Sequence, residues 1–91
     1  MILFLLCIGC RAPSPKQGAA IFRKNCAGCH SPQPGTQQSA PALAGYFLRN
    51  PPPTARQTSQ IIMNGKNRMP PFRNRLTLKQ IKDVIAFLKT R

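Results

Sequence analysis

The sequence predicts an all-α fold of three to four short helices joined by long, proline-rich loops. Three observations carry this. Two stretches open with a helix-capping residue and a glutamine placed to close the cap, Ser14 with Gln17 and Thr77 with Gln80. Near the C-terminus, Leu78, Ile81, Val84, Ile85 and Leu88 recur at helical spacing. No run alternates apolar and polar residues for long enough to read as a strand. At 91 residues the chain makes one domain at most. Such a domain has a thin core and often needs disulfides, a metal or a cofactor to hold it.

The elements follow in order. Residues 1–9 of "MILFLLCIGC" carry no charge and are almost wholly apolar. They are too short to span a bilayer and fit the apolar centre of a secretory signal. The stretch ends in Gly9-Cys10, which resembles the cleavage point of a bacterial lipoprotein signal, with Cys7 standing where that pattern wants leucine. The expectation is removal of residues 1–9, with Cys7 among them, and a lipid on Cys10. Residues 10–15 then form an extended tether. Ser14 caps a first helix with Pro15 at its first position, running to about Cys26. Ala19, Ile21 and Phe22 give it apolar surface, and Gly18 leaves room for another helix.

"HSPQPGTQQSAPALAG" reads as loop, followed by a short helical turn near 43–48. "RNPPPT" forces an extended connection, because each proline restricts the residue before it. A second helix runs from Thr54 or Ala55 to Asn64 and stops at Gly65. "KNRMPPFRNR" is loop, and the last helix follows Thr77, with Lys79, Lys82 and Lys89 mostly off its apolar stripe. Loops this long in so small a domain need a central organiser.

Charge sorts the partners. Fourteen Lys and Arg face a single acid, Asp83, for a net charge of +13. Such a surface attracts acidic protein faces, anionic lipid or nucleic acid and says little about fold.

The chemistry concentrates in "FRKNCAGCHSP", where Cys26, Cys29 and His30 fall together. Three readings compete. The spacing from Cys7 and Cys10 to Cys26 and Cys29 matches four-cysteine zinc sites, which with the charge makes a small nucleic-acid-binding zinc module. Against it, "LLCIGC" is an apolar run rather than a polar zinc knuckle, and the basic residues are not interleaved with aromatics. A thiol–disulfide site should open a helix after a strand, where the dipole lowers the first thiol's pKa; here the motif closes a helix. Covalent haem attachment fits best. Two thiols with a two-residue gap match the two haem vinyl groups, and the next histidine falls beneath the iron. An independent second part supports it: Met69 stands in a loop stiffened by Pro70 and Pro71, and a thioether is a soft ligand for haem iron. Met63 is the rival, but it lies within the second helix, where core packing is its role.

These stretches together resemble a class I c-type cytochrome of the short bacterial kind, over residues 16–91. "GAAIFRKNCAGCH" is similar to the family's first helix and haem site, "APALAG" to the segment whose proline carbonyl accepts from the proximal histidine, "NGKNRMPPF" to the axial-methionine loop, and "LTLKQIKDVIAFLKTR" to the C-terminal helix. The run Pro51-Pro52-Pro53 and the near absence of acids depart from the family. The resemblance implies a cytochrome c fold, with a mono-haem domain at 16–91 wrapped around one covalent haem c. Gly18 and Phe22 would then pack against Phe87. Cys26 and Cys29 would tether the haem, His30 and Met69 would be axial ligands, and Pro41 would orient His30. An apolar shell from Phe22, Leu43, Ile62, Phe72, Ile85 and Leu88 would exclude water, and Arg49 or Arg56 would neutralise a propionate.

The implied function is one-electron transfer without bond-making on a substrate, since two filled axial positions argue against oxygen binding or peroxidase chemistry. Lys66, Arg68, Arg73 and Arg75 bracket the methionine loop. They would steer the protein onto the acidic docking face of a redox partner such as a membrane-bound oxidase or dehydrogenase. The expected setting is the bacterial periplasm or the outer side of the cytoplasmic membrane, held there as a monomer by the Cys10 lipid and the basic surface, with no nucleic-acid partner.

Overall fold

The computed structural model describes residues 12–30 and 43–91. Within them lie α1 (Pro15–Asn25), a 3-10 turn (Tyr46–Leu48), α2 (Ala55–Asn64) and α3 (Leu78–Leu88). Among the described residues, strand-type pairing is confined to one isolated bridge between Lys66 and Met69. The fold is all-α, as expected. The expected signal, Cys7, Cys10 and Pro41 lie outside the described residues.

Each helix starts where its cap dictates. At α3, Thr77 Oγ1 accepts from Gln80 N–H at 3.1 Å while the Gln80 side chain accepts from Thr77 N–H at 2.8 Å. The α2 start forms the same reciprocal pair between Thr54 and Gln57, both bonds 3.0 Å. Helix α1 departs from expectation. Ser14 Oγ accepts from Gln17 N–H at 3.2 Å, but Gln17 does not close the box. Instead the Ser14 N–H donates to Asp83 Oδ1 at 2.8 Å, because an ionised carboxylate is a stronger acceptor than an amide.

That bond reports the main packing event, in which α1 lies across α3. A Cβ on Gly18 would sit 1.8 Å from the Asp83 carbonyl oxygen, so the two backbones meet where only glycine fits. The partner of Gly18 is therefore the Asp83–Val84 backbone. One turn on, the Phe22 and Phe87 rings pack at 5.4 Å between centroids, tilted by 51°. Phe22, Val84 and Leu88 form one buried cluster, bordered by Ile21, Cys26, Leu43 and Phe47. Ile62, Phe72, Leu76, Ile81 and Ile85 form a second, bordered by Ile21, Phe47, Met63 and Met69. The expected shell thus divides between two clusters, with Leu43 half-buried at the edge of the first. The α3 stripe is also shorter than its periodicity suggests. Leu78 is 52 % exposed, because the first residue of α3 lies before the helix reaches its neighbours.

Candidate haem-binding site

Helix α1 does not stop cleanly at Asn25. Cys26 N–H and Ala27 N–H both donate to the Phe22 carbonyl, at 2.8 and 2.9 Å. His30 N–H and Cys29 N–H then donate to the Cys26 carbonyl, at 2.8 and 3.2 Å. The pentapeptide is wound as one further turn, so Cys26 and Cys29, three residues apart, emerge on one side. They form no disulfide with each other. Cys29 is exposed, whereas Cys26 is half-buried against the Phe22–Val84–Leu88 cluster. Burial pushes the Cys26 thiol up to about 11. A thiol–disulfide nucleophile needs the opposite shift. A thioether suits this position, because it carries no charge to desolvate.

The methionine loop is fixed from both ends. Lys66 and Met69 exchange backbone hydrogen bonds of 3.1 and 2.9 Å across a tight turn. Asn67 takes φ 56 there, a left-handed conformation that asparagine tolerates. Gly65 precedes the turn at φ 77, and a Cβ on it would lie 2.5 Å from the Met69 carbonyl oxygen. Beyond the turn, Phe72 N–H and Arg73 N–H donate to the Ile62 and Met63 carbonyls, at 2.9 and 3.2 Å. These bonds satisfy two of the open carbonyls at the end of α2. Met69 is half-buried against the cluster holding Ile62 and Phe72. Ile21 and Phe47 border both clusters, so the thiol turn and the methionine loop share an apolar wall. Met63 stays within α2, where it packs on the core and lines a groove against α3.

Beside the methionine turn opens a second groove, of about 440 Å³, lined by Tyr46, Pro53, Gln57, Ile61, Asn64 and Gly65 among others. Neither the two thiols, nor His30, nor Met69 lines it. The Arg49 guanidinium stacks over the Tyr46 ring at 4.7 Å, at the edge of this groove. Arg56 lies on the α2–α3 groove instead. Two thiols on one turn, an adjacent imidazole, a held thioether and a shared apolar wall together fit a covalently tethered haem.

Sequence reasoning missed two features that shape this region. Thr58, buried in α2, donates to the Thr54 carbonyl at 2.9 Å and lies 3.2 Å from the Tyr46 hydroxyl, a hydrogen-bonding distance that ties the 3-10 turn to α2. The second is Asp83, the chain's single acid, which is 1 % exposed. Burial pushes its pKa up. Two bonds from Lys79, at 2.8 and 2.9 Å, the Ser14 N–H and the Lys79 charge outweigh that and hold it below its ordinary 3.8. The spacing of Lys79 and Asp83 was a readable signal for the ion pair, whereas the Ser14 contact had none.

Comparison with known proteins converges on the same reading. The family model described as "Cytochrome C oxidase, cbb3-type, subunit III" matches residues 13–88. Cytochrome c6 of Limnospira maxima is 36 % identical over 76 residues, covering 78 % of this chain and 85 % of that protein. Cytochrome c6 of Nostoc is 38 % identical over 72 residues, covering 78 % and 65 %. The structure of cytochrome c6 from the diatom Phaeodactylum tricornutum superposes with a TM-score of 0.68 at 28 % identity, over 85 % of this chain and 92 % of that one. The chain belongs to the class I c-type cytochromes. This cytochrome carries electrons through a covalently bound haem c. The four-cysteine zinc alternative finds no support in the relatives. Among the described residues, no group of three or more His, Cys, Asp or Glu is arranged to hold a metal ion. Nor is any helix among them long and apolar enough to cross a membrane.

Proposed function

We propose that Cys26 and Cys29 tether the haem of this cytochrome, that His30 and Met69 are its axial ligands, and that the Pro41 carbonyl orients His30. The observation that carries this is the doubly fixed turn at Met69, together with a thiol turn wound onto the end of α1, the two bordering apolar clusters joined through Ile21 and Phe47. A thioether is a weak ligand and stays in place only if its backbone cannot drift. Gly65, Asn67 and the two amides of Phe72 and Arg73 supply that constraint. Bound haem supplies a one-electron couple, and a His/Met pair sets it towards high potential. Phe72, Ile62 and Ile85 exclude water behind Met69, and Arg49 neutralises a propionate. The protein performs no bond-making on a substrate.

The haem domain spans 16–91, with residues 1–9 as signal and 10–15 as tether. Lys66, Arg68, Arg73 and Arg75 are all exposed around the methionine turn. We read them as the rim that meets an acidic face on a membrane-bound oxidase or dehydrogenase, in brief, salt-sensitive encounters between monomers. The setting is the periplasm or the outer side of the cytoplasmic membrane. A lipid on Cys10 and the basic surface hold the protein there, and nucleic acid has no part. The ligand assignment is tested by substitution. Met69→Ala should abolish the weak far-red sulfur-to-iron band of the oxidised protein and lower its potential, whereas Met63→Ala should leave the band. The reverse pattern would move the ligand to Met63.

A further inference from the structure

The strongest unexplained feature is the groove between α2 and α3, of about 590 Å³. Its walls are two helical stripes. Arg56, Ser59, Gln60 and Met63 come from α2, and Lys82, Ile85 and Ala86 from α3, with Lys89 capping its end. Each stripe follows the spacing of one helix face. The floor is apolar, from Met63, Ile85, Ala86 and Pro13, and the rim is cationic, from Arg56, Lys82 and Lys89, all exposed. No carboxylate side chain opposes them, because the chain's one acid is buried in the α1–α3 crossing. An apolar floor under an unopposed basic rim complements an amphiphile with an anionic head.

We propose that this groove is the membrane-facing surface of the protein and takes the headgroups and upper acyl chains of anionic phospholipid. This rests on the membrane placement proposed above and adds which face lies down. Pro13 lines the groove, and only Arg11 and Ala12 separate it from Cys10, a reach of about 10 Å at most. A lipid on Cys10 would therefore leave the protein beside this face. The groove's lining includes none of Lys66, Arg68, Arg73 and Arg75, the basic residues around Met69.

The test is vesicle binding by the haem-loaded mature protein, residues 10–91 carrying Cys10→Ser, so that neither the apolar signal nor an attached acyl chain contributes. Vesicles of phosphatidylglycerol and phosphatidylcholine in equal parts are compared with phosphatidylcholine alone. Arg56→Gln, Lys82→Gln and Lys89→Gln together should weaken binding to the anionic vesicles on the order of a hundredfold. The same loss of charge at the methionine rim, Lys66→Gln with Arg68→Gln and Arg75→Gln, should cost less than about fivefold, since screened charges act locally. Equal losses from the two triples would overturn the proposal, as would no loss from the first. If polyglutamate binds as tightly as the anionic vesicles and loses affinity with the groove triple, the occupant is an acidic chain and the lipid assignment fails. The visible spectrum of each preparation reports the haem separately, so a lost spectrum counts against the electron-carrier reading and not against the groove.

Discussion

Asp83 joins three parts of the molecule through one side chain. It accepts from the N–H that opens α1, it pairs with Lys79 on its own helix, and its backbone lies against Gly18. The folded protein holds its pKa below the ordinary 3.8, so the ionised form contributes stability above that value. That contribution fades as pH falls through the lower, folded value. Asp83→Asn should lower urea stability at pH 7 by about 1.5–3 kcal/mol, the worth of charged hydrogen bonds, with Lys79 free to rehydrate. The acid limb of the variant's stability curve should be flatter than that of the parent. Denaturation at pH 7 and at pH 3 checks both. Gly65 carries a different kind of constraint. Its φ of 77 and the 2.5 Å gap to the Met69 carbonyl leave no place for a methyl group. Gly65→Ala should cost about 1–3 kcal/mol from backbone strain alone. It should also weaken the far-red band, because the turn that presents Met69 must shift.

Helix boundaries were legible wherever local chemistry decides them. Thr77 with Gln80, Pro15 after Ser14, and Gly65 after Asn64 mark the observed ends of α3, α1 and α2. The failures were tertiary. Ser14 and Gln17 have the pattern of a capping box, yet a carboxylate 69 residues away takes the Ser14 N–H. Leu78 matches the α3 period, yet at the first residue of that helix it stays half exposed. The candidate site was legible for the same reason as the caps, since a thiol pair with an adjacent histidine is a local pattern. What the sequence could not show is how Met69 is held, because the amides of Phe72 and Arg73 reach back to carbonyls of α2. The α1–α3 crossing depends on Gly18 in the same non-local way. Gly18→Ala places a methyl 1.8 Å from a backbone oxygen, so the helices must part. A loss of about 1–3 kcal/mol or more in urea denaturation is expected, with α1 hydrogen exchange rising first.

Among the described residues few side chains are buried, and the apolar ones split into two small clusters joined through Ile21 and Phe47. A tethered macrocycle is the organiser that such long loops require. The form that cannot attach haem, Cys26→Ala with Cys29→Ala, should therefore show much weaker far-ultraviolet helix signal and no cooperative thermal transition. At the same scale, the net charge of +13 makes encounter with an acidic partner a long-range event. The second-order rate of electron transfer to such a partner should fall at least tenfold between low and high salt. The most direct test of the account is a redox titration of the purified protein, followed in the visible spectrum, after acid–acetone extraction of a parallel sample. A colour that resists extraction and a reversible transition with the slope of a single electron are expected. A colourless protein holding one zinc ion, or a haem that the solvent removes, would contradict it.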